Sequence, residues 1–243
     1  MNDPTHMANM KTARAPKTPQ DKKRFSLVPA SAQYEMFEAL ARLARSKARP
    51  ASGAEVAEIA ICLAAGDGVP VIRAGAANGA RLVRGNSTTV KGRRRRLEAA
   101  TIASVAALLE DAKAWAVVVC AGKIDAGSEA HPENQADYRN AFHFAARYKL
   151  PILFVVANRL GAKREQRLDL RTLYAEFGIP VFSVDAQDAI AAYRVATEAL
   201  HNAKHHRGPC VIEALTLPSA GGGQVNPREL LAAYMERHGN PPR

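Results

Sequence analysis

From Ser31 the chain repeats apolar residues at helical spacing. Tyr34, Phe37, Leu40, Ala41 and Ala44 fall on one face, and Glu35, Glu38, Arg42 and Arg45 on the other, which is the pattern of an amphipathic helix. A second helix is predicted from about Ala54 to Ala65, with Ser52 as N-cap, Val56, Ile59, Ala60 and Leu63 facing inward, and Gly66 as its stop. Val69 to Arg73 reads as a short strand or extended turn. Gly75 to Arg84 reads as a weak helix, because Gly79 lowers helix stability. After a break from Gly85 to Arg96, helices and strands alternate. The helices are Leu97 to Lys113, Ala136 to Tyr148, Leu170 to Phe177 and Ala186 to Ala203. The strands are Ala116 to Cys120, Ile152 to Val156, Val181 to Val184 and Cys210 to Leu215.

These strands are unbroken apolar runs without in-out alternation, as expected of neighbouring parallel strands covered on both faces. Strand-helix alternation with short connections implies right-handed crossovers. The predicted fold class is therefore α/β, a doubly wound, mainly parallel sheet flanked by helices, with all four strands buried. In such sheets ligands sit beyond the carboxyl ends of the strands, so the loops after Cys120, Val156 and Val184 are the places for chemistry. The chain divides into a basic, disordered tail at 1–28, one domain at 29–235 and a flexible C-terminus at 236–243.

Composition narrows the class. With 243 residues, 47% apolar and 23% charged, the chain has the balance of a soluble globular protein. No apolar run approaches the ~20 residues of a membrane-spanning helix, and no secretory signal follows the basic N-terminus, so the expected location is cytoplasmic. Cys62, Cys120 and Cys210 lie apart in apolar segments and read as buried thiols in a reducing compartment. The net charge of +11 concentrates in the first 24 residues and in Lys91-Gly92-Arg93-Arg94-Arg95-Arg96. No aromatic residues interleave with that run, so it is expected to be an exposed, solvated basic face, with nucleic acid a minor alternative.

Several pieces in fixed order carry a resemblance. The run from Asn140 through Tyr148-Lys149-Leu150-Pro151 to Ala157-Asn158 has the helix, the turn and the apolar strand of one known family. Phe177-Gly178-Ile179-Pro180, Val184-Asp185-Ala186-Gln187-Asp188, Ala192-Tyr193 and Arg207-Gly208-Pro209-Cys210-Val211-Ile212-Glu213-Ala214 follow it, and Gly53-Ala54-Glu55-Val56, Gly66-Asp67 and Arg73 precede it. Over roughly residues 30–235 the chain resembles the alpha chain of pyruvate and branched-chain 2-oxo acid dehydrogenases. The resemblance implies a thiamine-diphosphate-binding-like fold. It also implies thiamine diphosphate held through magnesium, and a beta-type dehydrogenase subunit or self-association, the cofactor lying between alpha and beta chains.

In that family the metal bridges the diphosphate to the Asp of a Gly-Asp-Gly and to the second Asn of an Asn-Asn, because a hard cation takes oxygen ligands. Here the Asp position falls on Ala121, or on Ala130 when counted back from the Ala141 helix, and Arg159 replaces the second Asn. The family's long cofactor-covering segment is replaced by the basic linker Asn86 to Arg96. The resemblance thus leaves Arg73, Asn158 and Arg159 to hold the cofactor and Asp125, with Glu129 as substitute, and Asn158 to hold the metal. The expected function is an alpha-type subunit with weakened or lost cofactor binding. Two alternatives stand beside it, a non-catalytic interaction or structural chain and a polyanion-binding module. His131 and His143 are acid-base candidates, although His143, within an amphipathic helix, reads more readily as a partly buried packing residue. Glu55 is either a general base or an exposed first-turn residue. His201, His205 and His206 suit a helix C-terminus.

Overall fold

The computed structural model describes residues 26–47, 50–75, 77–85, 87–90, 96–111, 113–124, 132–159, 174–205, 208–216 and 226–242. In chain order these form α1 (Ala30–Lys47), α2 (Gly53–Ala65), β1 (Val71–Arg73), α3 (Asn78–Val83), β2 (Thr88–Thr89) and α4 (Arg96–Glu110). β3 (Val117–Ile124), α5 (Pro132–Arg147), β4 (Ile152–Arg159), β5 (Val181–Asp185), α6 (Ala189–Lys204), β6 (Cys210–Thr216) and α7 (Pro227–Arg237) follow. The strands build one sheet in the order β2-β1-β3-β4-β6-β5. Every pair is parallel.

The four predicted strands are all present, and the expected parallel arrangement holds. Its physical basis is visible in the two cores. Val118, Cys120, Leu153, Val155, Ile212 and Ala214 face a layer made by α1, α2, α6 and α7. Their strand neighbours Val117, Val119, Ile152, Phe154, Val156 and Val211 face α4 and α5. Phe142 of α5 meets Phe154 of β4 edge-to-face at 5.0 Å and Tyr174 at 5.1 Å, which anchors the second layer. The Tyr-Lys-Leu-Pro turn is a helix stop. Leu150 N–H donates to Ala145 O and Lys149 N–H to Ala146 O, with Lys149 at a φ of +50°.

Four details differ from expectation. β5 is an edge strand, paired only with β6, so Val181 and Phe182 are half-buried and only Val184 is buried. β3 does not end at Cys120: after an irregularity at Ala121 it goes on pairing with β4, Gly122 to Val156 and Ile124 to Asn158. Thr88–Thr89, expected to lie in a break, adds a short strand beside β1. Pro227–Arg237, for which no element was predicted, is a helix opened by Asn226, whose Oδ1 accepts from the Arg228 N–H. Of the basic run, 91–95 lies outside the described residues, while Arg96 is half-buried at the start of α4.

Gly79 has a reason to be there that outweighs its helix propensity. A Cβ at this position would stand 2.4 Å from Glu55 O and 2.9 Å from Glu58 Cβ, so α3 touches α2 backbone to backbone. The Gly79 N–H donates to Glu58 Oε2 at 2.8 Å. Burial pushes the Glu58 carboxyl up to about 7, against the pull of the Gly79 and Ala80 N–H groups, while Glu55 adds to the rise and Lys47 opposes it. Gly79→Ala is expected to cost about 1–3 kcal/mol in urea unfolding, because the contact is to backbone and has nowhere to retreat. The raised Glu58 pKa favours the protonated fold. Its contribution is fullest below pH 4.5 and is lost as pH rises from there through about 7, some 3 kcal/mol in all. Glu58→Gln should flatten that part of the stability-pH curve, and a slope unchanged by the substitution would contradict the assignment.

Candidate functional site at the strand ends

β1 and β3 are neighbours, yet the chain leaves β1 for α3 on one face and β3 for α5 on the other. Such a reversal opens a crevice at the strand ends. Arg73 ends β1 there, in register with Cys120 and Thr89. Its guanidinium donates through Nη2 to Thr89 Oγ1, and its buried Nε has no partner among the described residues. Ala121, the residue at the irregularity in β3, is half-buried and offers no ligand.

Asn158 lies on β4, not in a loop beyond it. Its Nδ2 donates to Glu213 Oε1 at 2.6 Å, and Ser183 Oγ donates to Glu213 Oε2 at 3.0 Å. Glu213 is buried in the middle of β6, level with Val156. A carboxylate accepts only, so it fixes the orientation of the Asn158 amide, with the Nδ2 hydrogens toward Glu213 and Oδ1 as the accepting end. Thr216 Oγ1 bonds the Asn158 carbonyl at 3.3 Å. Tyr174 is fully buried on the same side of the sheet, and its hydroxyl has no hydrogen-bond partner among the described residues. Burial, then Glu213, then Tyr138 push its phenol well above the ordinary range.

Of the sequence-derived candidates, Asp125, Glu129, Ala130, His131 and His206 lie outside the described residues, and so does the Arg159 side chain, although its backbone closes β4. Glu55 is neither exposed nor placed as a base. It is buried in the first turn of α2, accepting from Ser52 N–H at 2.8 Å, from Ser52 Oγ at 2.9 Å and from Lys47 Nζ. His143 is exposed rather than partly buried, and lies against Phe177 with ring centroids 5.5 Å apart. His201 and His205 pair at the end of α6. All three thiols are free and buried. A hydrogen bond with the Cys62 thiol holds the Cys120 thiol well above its usual value, and burial adds to the rise. Sequence reasoning passed over Glu213, Ser183 and Tyr174 as functional residues. The available signal was one acid inside the apolar run Cys210-Val211-Ile212-Glu213-Ala214-Leu215.

Magnesium would need several oxygen donors around it. The described side chains around the crevice supply Asn158 Oδ1, the hydroxyls of Thr89, Ser183 and Thr216, a Glu213 carboxylate already engaged by Asn158 and Ser183, and one cation, Arg73. No group of three or more His, Cys, Asp or Glu among them could hold a metal. This set does not complete a magnesium site.

The family described as "Dehydrogenase E1 component" matches residues 55–221, from inside α2 to beyond β6. The chain belongs to the dehydrogenase E1 component family. It is 32% identical over 103 residues to the pyruvate dehydrogenase E1 component subunit alpha of Porphyra purpurea, covering 40% of this chain and 30% of that relative. Its likeness to the same subunit of Staphylococcus epidermidis is 36% over 89 residues, 34% of this chain and 24% of the relative. The matches therefore span less than a third of those relatives' lengths. A solved structure from Mycobacterium smegmatis, described as a thiamin diphosphate-dependent enzyme, aligns over 85% of this chain and 36% of that one. At 19% identity and a TM-score of 0.43 it adds nothing to the family assignment. Among the described residues no helix is long and apolar enough to cross a membrane.

Within this E1-family chain the Asn158–Glu213 bond ties β4 to β6 at the crevice. A double-mutant cycle of Asn158→Ala and Glu213→Leu is expected to read a coupling of about 1.5–3 kcal/mol in unfolding experiments, the range for a bond to a charged acceptor. Additive single effects would show that the bond is not made in solution.

Proposed function

We propose that this chain is an alpha-type subunit of a thiamine-diphosphate-dependent 2-oxo acid dehydrogenase whose hold on metal and diphosphate is weakened. The observation that carries the reading is the donor set at the crevice. Ala121 or Ala130, and Arg159, stand where the resemblance places carboxylate and amide ligands, and Glu213 occupies the amide nitrogen of Asn158. Arg73 and Arg159 attract a diphosphate by charge alone, and solvent screens such contacts. A beta-type subunit is the expected partner, and the cytoplasm, where buried thiols stay reduced, is the expected location. The alternative of a non-catalytic interaction chain draws on the uncharged outer face of α4, on which no charge falls between Glu98 and Glu110. Calorimetric titration of the full chain with thiamine diphosphate and magnesium is expected to give no saturable binding at about micromolar cofactor. Saturable, magnesium-dependent binding that Asp125→Ala abolishes would establish a displaced ligand set and overturn the weakened-binding reading.

A further inference from the structure

At the amino ends of β1 and β2, the end of the sheet away from Arg73, lies a cavity of about 390 Å³ bounded by the segments that follow α2, α3 and α4. Two atoms in its lining have no role in the fold. The Arg84 Nε and the Ser87 hydroxyl are both buried, and neither has a hydrogen-bond partner among the described residues. Buried donors are almost always paired, because leaving water without a new acceptor is costly. A turn brings these two together, the Ser87 N–H donating to Arg84 O at 2.9 Å.

The other nitrogens of Arg84 are accounted for. Its side chain is only 11% exposed, and Nη1 pairs with Asp67. Nη2 donates at 3.1 Å to Cys62 O, one of the last four carbonyls of α2, which lack partners further along the helix. These contacts hold the guanidinium in place and leave the Nε–H over. Charge around the cavity then narrows what the Nε–H and the Ser87 hydroxyl would hold. Asp67 and Asp111 are exposed and line the same cavity, so two carboxylates face one cation. A phosphate or a dicarboxylate would be repelled there, whereas a single carboxylate that carries its own cation would not. The half-buried Pro70 and Val83 add an apolar wall, and the volume lies in the lower part of the range for small-molecule sites.

We infer that this cavity binds a small free α-amino acid with an aliphatic side chain. Its carboxylate accepts from the Arg84 Nε–H and the Ser87 hydroxyl, its ammonium lies toward Asp111, and its side chain packs on Pro70 and Val83. The inference does not depend on cofactor binding, since Arg73 stands at the opposite end of β1.

The test is calorimetric titration of the full chain with four probes: L-valine, isovalerate, which lacks the ammonium, L-valinamide, which lacks the carboxylate, and inorganic phosphate. Valine should bind saturably at about millimolar or tighter, the next two at least roughly tenfold more weakly, and phosphate not saturably. Ser87→Ala should weaken valine binding roughly tenfold and leave the melting temperature unchanged, because the hydroxyl bonds nothing in the unliganded chain. Asp111→Asn should weaken valine binding and leave that of isovalerate as it was. Asp111 is exposed, so this variant keeps the inference refutable should Ser87→Ala unsettle the turn. No saturable binding of valine, any of the other three probes bound as tightly as valine, valine affinity indifferent to Ser87→Ala, or Asp111→Asn acting equally on valine and isovalerate would each overturn the inference.

Discussion

Because β3, β4 and β6 lie inside an all-parallel sheet with helices on both faces, the side chains of Val117–Cys120, Ile152–Ala157 and Cys210–Ala214 have no water to fall back on. That condition explains the unbroken apolar runs, since a polar side chain facing either layer would need a partner supplied by another element. It also explains why polar chemistry collects at the carboxyl ends. There Arg73 and Asn158 bridge to neighbouring strands, Asn158 reaching back to Glu213 in the middle of β6. The edge strands are released from the rule, so β5 tolerates an exposed Ser183 and Asp185, and β2 consists of two threonines.

Two buried carboxylates meet the same condition in different ways. Glu213 accepts from two side chains, Asn158 and Ser183, and its partners lie on the strands either side of it, so it binds β4, β6 and β5 together. Glu58 accepts from backbone N–H groups, and these, even with Lys47, do not outweigh burial and the nearby Glu55, so its carboxyl is pushed up to about 7. The difference is one of supply. Side-chain donors approach from whichever strand carries them, whereas the donors for Glu58 come from a helix start pressed so close to α2 that only glycine fits at 79.

The sheet was legible because its signal is collective. Each apolar run from Ala116, Ile152, Val181 and Cys210 is short, yet together with intervening helical periodicity they admit one fold class. Termini were less legible. β3 runs on past Cys120 because backbone pairing with β4 continues through Gly122, and hydrophobicity does not report backbone pairing. Gly79 looked like a weakness because propensity sees only its own helix, while the contact that requires it comes from Glu55, far away in sequence. At the candidate site, Arg73 and Asn158 stood out through resemblance, whereas Glu213 was visible only as an anomaly. A lone acid in a buried strand announces a partner but not which one, and the partner Asn158 is 55 residues away.

The outer face of α4 poses the opposite problem from the sheet interior. A chain with a net charge of +11 has no shortage of charged residues to place on an exposed helix, yet from Ala99 to Leu109 α4 uses none, and leaves Ile102 and Leu109 in solvent. Inside the sheet, absence of charge follows from coverage already present in the fold. On α4 the same absence has no covering element among the described residues, so hydrophobic patterning that reads as burial inside the sheet reads on this helix face as exposure.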